Sequence, residues 1–442
     1  MSPIGILARM SAPGAPPTAV QKRPGLRESF QAFRYPNFRW FFGGAVISSS
    51  GTWAQNATVF FILEELTDST VWAGFGSLMA FGPATLMAPL GGYIADRFHR
   101  RTVLLVTQSA AMVAATAMWL LWVSGRLEPW SVVAISCVSG LIAGLNIASW
   151  QAFITELVPR SMMLNAVTLN STQFNIARGV GPLVAGLFIG IDALGISWAL
   201  ALNPLSYLAV LFALSRVHVP RIERPTVVGR PQVLRNFAVA IAYVRRVPGI
   251  MACVVVIVFV AFLGSPVFAF LPKFNDDIFQ AGNRAYALLI AAQGLGGIAA
   301  APFVPALGQR MPRSRLIAGA MMLYGGSIAV VGFSSAYVVA VVALFAAGAA
   351  YLTLASALNT TIQLQVDESM RGKVLAFYVM CLTASLPLGA QVLGFIAETP
   401  VGLQTTVGLA GLVLVGVTMV LRALGRFAPM DDETVAAVSP TS

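Results

Sequence analysis

Gly91-Gly92-Tyr93-Ile94-Ala95-Asp96-Arg97-Phe98-His99-Arg100-Arg101 follows the second of a series of long apolar runs. Ala306-Leu307-Gly308-Gln309-Arg310-Met311-Pro312-Arg313-Ser314-Arg315 follows the eighth, with Gln309 standing where the first copy has Asp96. Both loops are short and basic, and they fall at the same place in two successive sets of six runs, which marks an internal duplication. The runs lie at about 39–63, 71–94, 102–124, 130–152, 166–190 and 195–215, then at about 249–271, 285–307, 316–334, 337–361, 374–397 and 402–423. Each is close to the ~20 apolar residues a helix needs to cross a bilayer, and none alternates as a barrel strand would. Only a helix satisfies its own backbone in lipid. The reading is an all-α membrane protein of twelve transmembrane helices in two six-helix pseudo-repeats.

Composition agrees. Of 442 residues, 57% are hydrophobic and 10% charged, whereas soluble domains run near ~45–50% and ~25%. A soluble globular domain and a disordered chain are both excluded. The net charge of +11 is spread over short loops, not along one face, so nucleic acid is not an expected partner. With the N-terminus inside, all of the 28 Lys and Arg except Arg126, Lys273, Arg284 and Arg178 fall on the cytoplasmic side or in the tails. That asymmetry is the positive-inside signal, and it predicts a multi-pass protein of the cell (inner) membrane with both termini cytoplasmic. The outside collects acids instead: Glu64, Glu65, Asp68, Glu128, Asp192, Asp276, Asp277 and Glu398.

The expected division is a cytosolic tail over 1–38, a six-helix bundle over 39–215, a cytosolic linker over 216–248, a second bundle over 249–423 and a tail over 424–442. The first tail lacks the apolar core of a signal peptide. In the linker, Val233, Leu234, Phe237, Ile241 and Val244 recur at helical spacing beside arginines, which predicts an amphipathic helix at the membrane surface. Cys137, Cys253 and Cys381 lie in three different apolar runs, and His99 and His218 lie apart in polar loops. Disulfides, metal sites and haem attachment have no support, and no cofactor is expected. Nucleotide-binding and hydrolase motifs are absent, so the chain does not read as an enzyme.

In the first loop, Gly91, Gly92 and Ala95 permit close approach of a neighbouring helix. Asp96, at a helix end beside Arg97, Arg100 and Arg101, is placed to pair with a cation or to cap a neighbouring helix N-terminus. With Arg310 and Arg313 of the second copy, these residues make a candidate gate latch. The chain here resembles the major facilitator superfamily, whose signature loop has the form G-x-x-x-D-R-x-x-R-R. Gly51-Thr52-Trp53-Ala54-Gln55, Leu66-Thr67-Asp68-Ser69, Asn175-Ile176-Ala177-Arg178-Gly179-Val180-Gly181-Pro182 and Arg371-Gly372-Lys373-Val374 with Pro387-Leu388-Gly389 look like its bacterial exporter branch. That branch includes enterobactin-exporter-like and macrolide-efflux-like proteins. The resemblance implies two bundles that rock about a central cavity and move a small solute by alternating access.

Arg178 lies about 13 residues from either end of its run, where a charge costs at least ~2.5–3.5 kcal/mol. It should therefore face water, a partner or a substrate, with bonding to carbonyls or amides for bundle assembly as the alternative. Asn175, Gln173, Asn56, Gln55, Asn146, Tyr351 and Asn359 are the other candidate cavity residues, each equally able to serve as glue between helices. Gly181, Pro182 and Gly186 in the fifth run, and Pro387 in the eleventh, are expected to shape bends or sliding surfaces. The Gly-Pro pair resembles an antiporter motif, abbreviated here by Ala185.

Proton-driven exporters usually need a titratable acid at mid-depth, and this chain has none. Glu64 and Glu65, at the outer end of the first run, read first as plain interface charges, with proton exchange from outside as the alternative. The expectation is secondary active efflux of a drug-like compound or siderophore-type metabolite, with protons, a small molecule and the bilayer as partners, by a monomer. A nutrient facilitator or importer, and more remotely a non-transporting receptor or scaffold, are the alternatives.

Overall fold

The computed structural model describes residues 30–191, 194–219 and 233–432. Most of the N-terminal tail, Asp192, the linker arginines Arg221, Arg224 and Arg230, and the end of the C-terminal tail lie outside the described residues. The first six helices are α1 (Pro36–Thr67), α2 (Thr70–Arg97), α3 (Arg100–Val123), α4 (Pro129–Ile154), α5 (Met163–Ile189) and α6 (Gly195–Arg216). Proline begins α1 and α4, where the missing N–H would have had no partner anyway. The linker carries α7 (Val233–Arg246).

The seventh apolar run is interrupted. It forms α8 (Pro248–Phe259), a π-helical turn over Val260–Gly264, and α9 (Val267–Lys273). Pro266 has no N–H to continue an α-helical ladder, and the Ser265 N–H reaches back to the Val260 carbonyl at 3.2 Å. The eighth run also breaks, into α10 (Asn283–Ala300) and α11 (Val304–Arg310), bent by 51° across a stretch containing Pro302. Then follow α12 (Arg313–Phe333), α13 (Tyr337–Gln365), α14 (Arg371–Ala397) and α15 (Leu403–Ala423).

Every expected run is therefore helical, but the runs are not equally apolar. Among the described residues nine helices are long and apolar enough to cross a membrane, or ten with α10 and α11 taken as one bent span. The two long helices left out are α1 and α5. Both are rich in Ser, Thr, Asn and Gln, and both touch the second set of helices, α1 at α9 and α5 at α10.

The packing repeats. In the first set α2 lies on α4, α1 on α5 and α6, and α3 on α4 and α6. In the second set α10 lies on α13, the α8 segment with its π turn on α14 and α15, and α12 on α13 and α15. Between the sets, α2 packs on α14 and α5 on α10. Gly91 allows one of the tight crossings: a Cβ there would sit 2.5 Å from the Gly144 carbonyl of α4, whereas one on Gly92 would meet nothing within 4 Å. The linker helix α7 packs on α8 and α14, burying Ala240 and Val244 and leaving Arg245 and Arg246 exposed.

Candidate substrate cavity and gates

Arg178 on α5 stands between the two sets of helices. Its guanidinium carbon lies 4.5 Å from the ring centroid of Tyr351 on α13 and 5.4 Å from that of Trp53 on α1. The Trp53 ring also lies 5.9 Å from Phe174 and 6.3 Å from Phe81. Tyr351 meets Tyr324 of α12 at 5.7 Å. Arg178 makes no hydrogen bond or ion pair among the described residues. Two cation–π contacts at ~0.5–2 kcal/mol each offset part of the ~2.5–3.5 kcal/mol cost of a charge at mid-depth, and they satisfy none of the guanidinium N–H groups. Those donors need water or a ligand.

Two features place this cage. Gln173 donates to the Ala45 carbonyl at 3.0 Å and pins α5 to α1. Gly181 lets the helices touch, since a Cβ there would lie 2.5 Å from Trp53 Cβ and 2.6 Å from the Ser50 carbonyl. Gly186 lies against Ala287 of α10 on the opposite side. Helix α5 continues through Pro182, and α14 continues through Pro387.

The other expected cavity residues are distributed differently. Gln55 is buried and accepts from Asn203 of α6 at 2.7 Å. Asn146 accepts from Thr107 of α3 at 2.8 Å. Asn175 and Asn359 are exposed and bonded along their own helices, to the Ser171 carbonyl at 2.9 Å and from Gln363 at 2.7 Å. Asn56 is half-buried. So Arg178 and Tyr351 are brought together, while Gln55, Gln173 and Asn146 hold helices within the first set. Tyr324 was not among the expected residues. A lone tyrosine inside an apolar run carries no sequence signal that separates core from cavity.

At the end of the molecule that carries Asp68 and Lys273, the sets are bonded to each other. Lys273 pairs with Asp68, lies 3.0 Å from Asp277 and 3.9 Å from the buried carboxylate of Glu64. Glu65, its neighbour, is exposed. Thr70 donates to the Gly394 carbonyl at 2.9 Å, and Glu398 accepts from Ser69 and from the Val71 N–H. Tyr286 reaches the Ala57 carbonyl, and Arg284 the Gly190 carbonyl.

The opposite end is arranged otherwise. Asp96, Arg97 and Arg310 are exposed, and Asp96 makes no hydrogen bond or ion pair among the described residues. The expected latch is not assembled in this conformation. Arg97 bonds to Tyr93 on its own helix. Arg100 holds Glu156 at 2.9 Å and the Ala152 carbonyl at 3.0 Å, and Arg101 holds the Leu214 carbonyl at 2.8 Å. Arg313 bonds to the carbonyls of Met430 and Asp431. These arginines tie helix ends within their own set. Their reach is used before Asp96 is offered a partner.

Residues 27–440 match the family described as transmembrane secretion effectors, a match that spans nearly the whole chain. The chain belongs to this transmembrane secretion effector family of the major facilitator superfamily. Within it, the chain is 22% identical to the staphyloferrin A transporter of Staphylococcus aureus, over 88% of this chain and 96% of that protein. It is 19% identical to macrolide efflux protein A of Streptococcus pyogenes, over 88% and 96%. It is 23% identical to the enterobactin exporter of Escherichia coli, over 92% and 96%. Among solved structures, the D-xylose–proton symporter superposes with a TM-score of 0.69 at 18% identity, covering 94% of this chain and all of that one. As a member of this family the chain is a multi-pass membrane protein of transporter type.

Proposed function

We propose that the protein exports a small molecule from the cytoplasm by alternating access, in a monomer that performs no chemistry on its cargo. One observation carries this reading. A charged aromatic cage lies between the two sets of helices, with one end of their interface bonded and the other end exposing its charges. The positive-inside count puts the Asp96 end in the cytoplasm with both termini, and the Lys273 end outside, in the inner membrane. The conformation is then one with its outer gate closed and its cytoplasmic side open. Twelve spans, divided into bundles over 39–215 and 249–423 by the linker 216–248, follow from the same pattern. In this scheme the polar α1 and α5 are spans shielded by their neighbours.

The names of the relatives, a staphyloferrin transporter, a macrolide efflux protein and an enterobactin exporter, support export of a drug-like compound or a siderophore-type metabolite. Asp96, Arg97, Arg100, Arg101, Arg310 and Arg313 form the cytoplasmic gate region. Arg178, Tyr351, Asn175, Asn56 and Asn359 face the cavity. Protons are the proposed counter-ion, with Glu64 beside Lys273 as the carboxylate placed to exchange with the outside. The absence of an acid at mid-depth favours one second reading, a facilitator without proton coupling.

Everted vesicles loaded against a panel of labelled catecholate and carboxylate siderophores and macrolides test this. Accumulation of at least one compound, collapsed by an uncoupler and lost in Arg178→Ala at normal membrane abundance, is expected. Counterflow that is indifferent to a pH gradient would instead support the facilitator.

A further inference from the structure

The cage around Arg178 is chemically one-sided. Helices α5, α8, α10, α12, α13 and α14 contain no Asp or Glu. The acids of α1 begin at Glu64, eleven residues past Trp53, which is ~16 Å along a helix. The cage therefore holds a permanent cation that no carboxylate pairs with among the described residues. Beside it, the hydroxyl of Tyr351 is buried without a hydrogen-bond partner among the described residues, and Tyr351 itself is only 8% exposed. A buried hydroxyl without a protein partner is costly unless water or a ligand completes it. The walls supply flat apolar surface from Trp53, Phe81 and Phe174.

We propose that the cage binds the oxyanion of a substrate that carries a carboxylate or phenolate on an aromatic body. This rests on the cavity assignment above and names its chemistry. Arg178 neutralises the anion, the Tyr351 hydroxyl donates the second hydrogen bond, and the rings stack on the body of the solute. Macrolide-like cations are then poor cargo. Outward movement of an anion also runs with an inside-negative membrane potential. One elementary charge at ~100 mV sustains roughly a fifty-fold gradient, so export needs no acid at mid-depth to be driven.

Three isosteric probes test the proposal on the full chain in nanodiscs, with empty nanodiscs subtracting lipid partition: 2-naphthoate, 2-naphthalenemethanol and 2-naphthylmethylamine. Equilibrium dialysis should show the carboxylate binding at least tenfold tighter than the alcohol, and the ammonium weakest. In Arg178→Gln the preference should fall to about twofold while the alcohol still binds, which reports an intact fold. Arg178→Lys should keep the order of the probes, and Tyr351→Phe should lose severalfold on the carboxylate alone. Equal affinities in the native protein, no binding of any probe, or an anion preference that survives Arg178→Gln each overturns the proposal. Direction is read separately, from naphthoate accumulation in cells with and without the protein. Selective binding without lowered accumulation keeps the anion site and removes export. Export of other solutes without anion preference does the reverse.

Discussion

Glu398 at the end of α14 accepts a hydrogen bond from the Val71 N–H at 3.0 Å, setting an anion from one set of helices on the N-terminus of a helix in the other. The same carboxylate takes the hydroxyl of Ser69, the N-cap of α2. A carboxylate at a helix N-terminus satisfies orphan N–H groups and meets the positive end of the dipole. Removing it with Glu398→Ala should cost about 1 kcal/mol, since the site is exposed. That shifts the balance roughly fivefold toward the state open at this end. Labelling of a cysteine at Ala287, in a background without native cysteines, by a membrane-impermeant maleimide measures it. Unchanged labelling would count against Glu398 as a gate.

The α2–α14 pair offers the mirror of that cap at its other end. The two helices run antiparallel, with Thr70 against Gly394, Gly74 against Ala390 and Thr85 against Thr383. Extending that register brings Asp96 opposite Gly372, in the first turn of α14 between Arg371 and Lys373. Closure of the cytoplasmic end would give Asp96 the partners it lacks here. We expect Asp96→Asn to reduce transport severalfold by weakening the closed state. A disulfide between Asp96→Cys and Gly372→Cys should form slowly in the native background and faster with Glu398→Ala. A cross-link indifferent to Glu398 would break the link between the two ends.

Lys273 joins the sets through Asp68 and lies against a buried carboxylate. Lys273→Met leaves Glu64 buried without its cation, a class of change that costs ~3–5 kcal/mol when the pair is fully buried and less at this half-open site. Thermal stability in nanodiscs should fall by several degrees. Glu64→Gln in the same chain should recover most of the loss. If the two substitutions simply add, Lys273 and Glu64 are not coupled and the closed outer gate rests on other contacts.

Much of this was legible in the sequence, and the unread part has a physical reason. The apolar runs and their basic loops gave the helical membrane fold, and the loop around Asp96 carried the resemblance to the family, because run length, charge asymmetry and short motifs are local properties of the chain. Arg178 stood out because a charge at mid-depth is expensive wherever it points. Its ring partner Tyr351 lies 173 residues away on the other set, and no local pattern encodes such a meeting. Gln55, Gln173 and Asn146 looked the same as cavity residues, since an amide that binds cargo and one that ties neighbouring helices together are the same residue in a similar run. Lys273 read as an exception to the positive-inside rule, when its charge is matched by acids from both sets. The break between α10 and α11 was visible only as Pro302 and Pro305, residues that membrane helices often accommodate.

Gly91 and Gly92 give a test in which chemistry is constant and only packing differs. Both are glycines of α2, adjacent in the motif that marks the duplication. A methyl on Gly91 would come 2.5 Å from the Gly144 carbonyl and 3.0 Å from Leu145 Cα, both backbone atoms that a side-chain rotation cannot clear. On Gly92 it would meet nothing within 4 Å. Gly91→Ala must therefore push α2 from α4, at ~1–3 kcal/mol for an overpacked contact. Gly92→Ala should be neutral or gain slightly from helix propensity. Because α2 also carries Asp96 and the contacts to α14, the displacement should reach transport as well as stability. Unfolding curves and vesicle uptake for the two variants decide it. Equal behaviour would mean that the α2–α4 crossing is looser than the geometry requires.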